Sequence, residues 1–198
     1  LCLLINLQLE DKFNIHIANN GVEGLKKVHL YHPDIVVTDQ MMPEMDGLEM
    51  LQSIRKDFQI SHIPVIILTA KNDEGAKTKA ITLGANAYIT KPFSKEYLLA
   101  RIDQLLSERL LFRERIRLQM ENQKTTEEDS YEQYLVKKDV QFLEKIHQVI
   151  EENMDDSDFN IDTIASGIGL SRSAFFKKLK SLTGLAPVDL VKEIRLNK

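Results

Sequence analysis

The chain has 198 residues, of which 43% are hydrophobic and 28% charged, with 8 Gly and 5 Pro; this is ordinary globular composition for one or two domains and excludes collagen, a wholly disordered chain and a disulfide scaffold. Cys2 is the only cysteine, so neither an intramolecular disulfide nor a cysteine-based zinc site can form. The net charge of −4 is unevenly spread: residues 1–120 are neutral, with 15 basic and 15 acidic side chains, residues 121–158 carry −8, and residues 159–198 carry +4, which directs a search for a polyanionic partner to the C-terminal end.

Leu1–Leu9 is apolar without the flanks of a signal peptide, and the longest apolar runs are too short to span a membrane, so no membrane contact is expected. Leu1–Leu9 reads as the end of a helix. From residue 13 to 90, strand and helix patterns alternate. The strand candidates are Asn14–Ala18, Asp34–Thr38, Pro64–Thr69 and Ala87–Thr90. Ile35-Val36-Val37 and Val65-Ile66-Ile67-Leu68 are continuously apolar, the pattern of strands buried on both faces of a parallel sheet. Helical spacing fills Gly21–Tyr31, Asp46–Phe58 and Asp73–Leu83. This predicts βα units in a doubly wound α/β fold. Ser94 is placed to cap a further helix running to about Met120, along which Ile102, Leu105, Phe112 and Ile116 form a stripe that either packs the helix on the sheet before it runs into solvent or, as the alternative, pairs it with a second copy.

Ligands of open parallel sheets bind beyond the carboxyl ends of the strands. Asp39, Thr69 and Lys91 stand at three successive strand ends. A carboxylate, a hydroxyl and an ammonium gathered there suit a phosphorylated carboxylate: Asp39 attacks phosphorus, Lys91 neutralises a phosphoryl oxygen and Thr69 donates to another. A divalent metal would screen the repulsion between carboxylate and phosphate.

The stretches Asp39-Gln40-Met41-Met42-Pro43-Glu44-Met45-Asp46-Gly47, Leu68-Thr69-Ala70, Gly84–Tyr88 and Lys91-Pro92-Phe93 resemble the receiver domain of bacterial response regulators over about residues 9–108. The resemblance implies a flavodoxin-like fold. It also implies that Asp39 is the phospho-acceptor, Lys91 its charge partner, and Thr69 and Tyr88 a switch pair. Asp39 and the backbone carbonyl of Met41 would bind Mg²⁺, the Lys91–Pro92 peptide would be cis, and a histidine kinase would be the phosphodonor. Receivers open on a strand bearing an acidic pair, which no residues before Phe13 supply at the right distance. The chain is therefore expected to be a fragment lacking that strand, with weak Mg²⁺ binding and weak phosphorylation.

Residues 121–130 contain no apolar side chain, and 121–137 reads as an acidic linker between a receiver, 1–120, and a C-terminal domain, 138–198. Val140, Leu143, Ile146, Val149 and Ile150 mark one helical face. Ile161–Ser166, a turn containing Gly169, and Arg172–Leu182 capped by Ser171 then form a helix-turn-helix pattern. Arg172, Lys177, Lys178 and Lys180 make the second helix basic, which suits a DNA major groove. Phe175 and Leu179 face the core. Phe176 either joins them or is exposed to touch thymine methyls.

Gly169–Ser173, Phe176–Lys180, Thr183-Gly184, Pro187 and Ile194–Leu196 resemble the first helix-turn-helix of the AraC family. By position the resemblance implies that Ser173, Phe176 and Lys177 face bases and that Ser171 and Arg172 lie near phosphates; Lys180 is expected on a phosphate. That family normally has a second helix-turn-helix after the linking helix that starts near Val188, and this half is expected to be missing from the chain.

The expected protein is a non-enzymatic, cytoplasmic two-component transcription regulator, resembling the output end of a hybrid sensor. Its partners would be a histidine kinase, double-stranded DNA and a second copy of the chain. The alternative is a receiver that takes no phosphate and serves as an interaction or dimerisation module.

Overall fold

The structure, a computed structural model, describes residues 2–70, 74–122, 137–153 and 159–196. The chain divides into two compact units, Leu1–Leu106 and Ser107–Lys198.

Unit 1 follows the order α1 (Cys2–Leu9), α2 (Gly21–Tyr31), β1 (Val36–Asp39), α3 (Gly47–Lys56), β2 (Val65–Thr69), α4 (Glu74–Thr82) and β3 (Ala87–Thr90), and then the first part of α5 (Lys95–Asn122). The strands pair in the order β1-β2-β3, all parallel. Every residue of β2 is buried because both its faces are covered. Val65 and Ile67 pack with Val28 of α2 and with Leu48, Leu51 and Ile54 of α3. Ile66 and Leu68 pack on the other face with Ile89 of β3 and Leu98, Ile102 and Leu105 of α5. An uninterrupted apolar run is what such a strand requires.

Two expectations need correction here. Asn14–Ala18 forms no strand and joins no ladder. One side of β1 is taken by β2, and no described strand lies on the other, so this segment has nothing to pair with. Its apolar residue Ile15 packs against the sheet instead. The stripe assigned to self-association is also partly spent, since Ile102 and Leu105 are buried in the core of unit 1. The side chains of Phe112 and Ile116 lie outside the described residues.

Unit 2 holds the rest of α5, then α6 (Lys137–Glu152), α7 (Ile161–Gly167), α8 (Arg172–Thr183) and α9 (Pro187–Leu196). Most of the acidic linker lies outside the described residues. Helix α6 buries Phe142, Ile146 and Ile150, spaced by four, so its inner face is turned from the one read in the sequence, where Phe142 was missed; the side chain of Val140 is not described. Asn160 caps α7 by accepting from the amides of Asp162 and Thr163, and Ser171 caps α8 by accepting from Ala174. Between them Gly169 takes φ of 74°, a left-handed conformation that a residue with a Cβ adopts at a cost. Two arginines of α5 reach α8: Arg109 donates to the Ser181 hydroxyl, and Arg113 Nε donates to the Ser181 carbonyl at 2.7 Å.

Candidate functional site

The parallel register puts Asp39 opposite Leu68 and Thr69 opposite Thr90, so the ends of β1, β2 and β3 share one rim. Beyond them, Gln40 N donates to the Leu68 carbonyl and Lys91 N to the Thr69 carbonyl, both at 2.7 Å. These bonds carry the register one residue past β1 and β3. Lys91 Nζ meets Asp39 Oδ2 at 2.5 Å, with about a quarter of each side chain exposed. Asp39 Oδ1 accepts from the amide of Met41 at 3.2 Å. Partly removed from water, this pair interacts more strongly than a surface salt bridge. The Lys91–Pro92 peptide is cis.

The loop that follows Asp39 is held by a reciprocal cap on α3. Asp46 accepts from the amide of Glu49 at 2.8 Å, and the Glu49 carboxylate accepts from the amide of Asp46 at 2.9 Å. Gly47 N donates to the Gln40 carbonyl at 3.0 Å. A Cβ on Gly47 would lie 2.2 Å from the Asp39 carbonyl oxygen, so only glycine lets α3 start this close to the acidic residue.

Thr69 is fully buried, and Tyr88 packs against the α2–α3 side of the core. Their hydroxyls converge on a residue that sequence reasoning missed. Gln40 Oε1 accepts from Thr69 Oγ1 at 2.7 Å and from the Tyr88 hydroxyl at 3.1 Å. An amide beside Asp39 gives no periodic or motif signal, and only the sheet register shows what it touches.

Mg²⁺ is held by one or two carboxylates together with phosphate oxygens and water. The residues available are the Asp39 carboxylate and the Met41 carbonyl, and Lys91 already neutralises Asp39. Among the described residues no three His, Cys, Asp or Glu side chains gather as a metal site. These two donors alone therefore do not fit a resident ion.

In unit 2, Ser171, Arg172, Ser173, Phe176, Lys177 and Lys180 are all exposed, whereas Ala174, Phe175 and Leu179 are buried. Arg172 pairs with Asp162 at 2.8 Å, and both side chains are largely in solvent. Lys178 corrects the sequence reading. It is 0% exposed, paired with the equally buried Asp139 of α6 at 2.8 Å and lying 5.0 Å above the Phe142 ring, so it is not available to DNA.

A family model described as the response regulator receiver domain matches residues 2–103. The chain belongs to that family and is a two-component receiver, with the flavodoxin-like fold its parallel sheet displays. Receiver domains take phosphate from histidine kinases and generally bind Mg²⁺ when they do so.

Among relatives, the chain is 32% identical over 200 residues to histidine kinase P4 of Formosa agariphila, covering 100% of this chain but 14% of that protein. It is 38% identical over 103 residues to the "Probable transcriptional regulator ycf29" of Pyropia yezoensis, covering 52% and 46%. The receiver domain of a Francisella response regulator superposes with a TM-score of 0.51 at 32% identity, over 54% of this chain and 88% of that one. The chain thus spans less than half of either curated relative. Relatives named as transcriptional regulators and as a response regulator support a regulatory role.

Proposed function

We propose that Asp39 accepts a phosphoryl group from a histidine kinase and that its phosphorylation controls sequence-specific DNA binding by α8. The observation that carries the first half is the Asp39–Lys91 contact at the strand-end rim, beside the Thr69 and Tyr88 hydroxyls.

In the transfer, an Asp39 carboxylate oxygen forms a bond to phosphorus while the phosphorus–nitrogen bond of phosphohistidine breaks. The histidine leaves with the bonding pair and takes up a proton. Lys91 remains beside the carboxylate and balances the added phosphoryl charge; the Met41 amide holds the other oxygen. Thr69 supplies a hydroxyl donor to the phosphoryl oxygens, and Tyr88 responds with it as a switch pair. Mg²⁺ would need donors beyond Asp39 and the Met41 carbonyl to be held here, and would then supply charge screening between carboxylate and phosphate.

The second half is supported by the exposed face of α8. Ser173, Phe176 and Lys177 would meet bases, while Ser171, Arg172 and Lys180 would lie near phosphates, in an AraC-type helix-turn-helix within a hybrid sensor regulator. The alignment of the whole chain with 14% of a histidine kinase of Formosa agariphila supports a place within a longer sensor protein.

In the full-length protein, acetyl phosphate with Mg²⁺ is expected to label Asp39, and Asp39→Asn to abolish the label. Label surviving at another residue in the Asn variant overturns the assignment. Absence of label in the parent favours the module that acts through protein interaction alone.

A further inference from the structure

Gln40 stands between the candidate phospho-acceptor and the candidate switch pair. Its Oε1 has two lone pairs, and two hydroxyls occupy them, Thr69 at 2.7 Å and Tyr88 at 3.1 Å. Each hydroxyl owns a single proton. While both protons are directed at Gln40, neither is directed at a group on Asp39. A phosphoryl oxygen must therefore compete with the Gln40 amide for the Thr69 proton. When Thr69 leaves, Gln40 regains a free lone pair and its hold on Tyr88 changes too.

We infer that Gln40 is a positioning residue that clamps Thr69 and Tyr88 together in the resting receiver and so sets how readily the pair responds to phosphorylation. The clamp is read from the resting geometry alone; the response rests on Asp39 being the phospho-acceptor.

The test uses the 198-residue chain with its five tyrosines replaced by 3-fluorotyrosine. Fluorine NMR is recorded without phosphodonor, and the Tyr88 line is assigned with Tyr88→Phe. Gln40 is half-buried, and Gln40→Met keeps its length while replacing the amide oxygen with a weak sulfur acceptor. The Tyr88 line is expected to move or split, with a population change of about five-fold, the scale of one neutral hydrogen bond. Gln40→Glu, which retains an acceptor oxygen at the same reach, is expected to keep the parent line.

A Tyr88 line unmoved by Gln40→Met overturns the clamp, as does an equal shift of the Tyr31 and Tyr97 lines, which would report a general loss of packing. Should Gln40→Met fail to fold, Gln40→Asn makes the same test, because its oxygen falls short of both hydroxyls.

In the second arm, Gln40→Met in the full-length protein is expected to change the rate of Asp39 labelling by acetyl phosphate several-fold. A shifted Tyr88 line with an unchanged labelling rate overturns the response. Failure of the parent to label at Asp39 overturns the acceptor reading and the response with it, while the clamp is judged by the NMR line alone.

Discussion

Asp39 depends on neighbours that take no part in its chemistry. Gly47 lets the first turn of α3 pass against the Asp39 carbonyl, and the Asp46–Glu49 cap holds that turn in place. A methyl at this position meets backbone rather than a flexible side chain, so something rigid must shift. Gly47→Ala is expected to cost about 1–3 kcal/mol, as overpacking does. Urea denaturation of the chain measures this, and an unchanged midpoint would show that the loop absorbs the methyl without strain.

Among the elements, α6 and α8 are joined by more than apolar packing. Phe142 and Phe175 lie 6.1 Å apart by ring centroids, and the Lys178–Asp139 pair sits beside them without exposure to solvent. Removing one charge strands the other where water cannot reach it. Asp139→Ala is therefore expected to destabilise unit 2 by about 3–5 kcal/mol, whereas replacing both partners, Asp139→Leu with Lys178→Met, is expected to be nearly neutral. Thermal unfolding followed by circular dichroism distinguishes these variants. Equal losses in the single and double variants would mean that the pair contributes by shape rather than charge. The same burial divides the basic residues of α8, leaving Lys177 and Lys180 to face outward and Lys178 inward.

For the whole molecule, the proposed output is DNA binding controlled from the receiver. In the full-length protein, Lys177→Ala is expected to reduce discrimination between operator and random duplex, with a direct base contact worth about 1–3 kcal/mol. Lys180→Ala, on a phosphate, is expected to weaken both duplexes alike and to lower the salt slope by about one. Fluorescence anisotropy across a salt titration reads both effects. If both variants bind operator as the parent does at every salt concentration, α8 is a solvated basic helix and the output lies elsewhere. Among the described residues no helix is long and apolar enough to cross a membrane.

Local chemistry was legible along the chain wherever one segment determines its own form. The buried run Val65–Leu68, the caps at Ser94 and Ser171, the bounds of α2 and β3, and the turn at Gly169 all follow from side-chain pattern and backbone preference. The convergence of Asp39, Thr69 and Lys91 was legible too, because parallel strands present their carboxyl ends on one rim. Pairing between distant segments was not. Asn14–Ala18 has a strand's composition but no ladder, since a strand exists only with a neighbour to bond. The partners of Gln40 lie 29 and 48 residues away, and no local signal marks them. Lys178 reads as one more positive charge in a basic helix until α6 is packed against it with Asp139 and Phe142 facing inward. Sequence determines what each segment can form; which hydroxyl an amide receives, and which lysine is lost to solvent, is decided by tertiary packing, which alone brings those atoms within hydrogen-bonding distance.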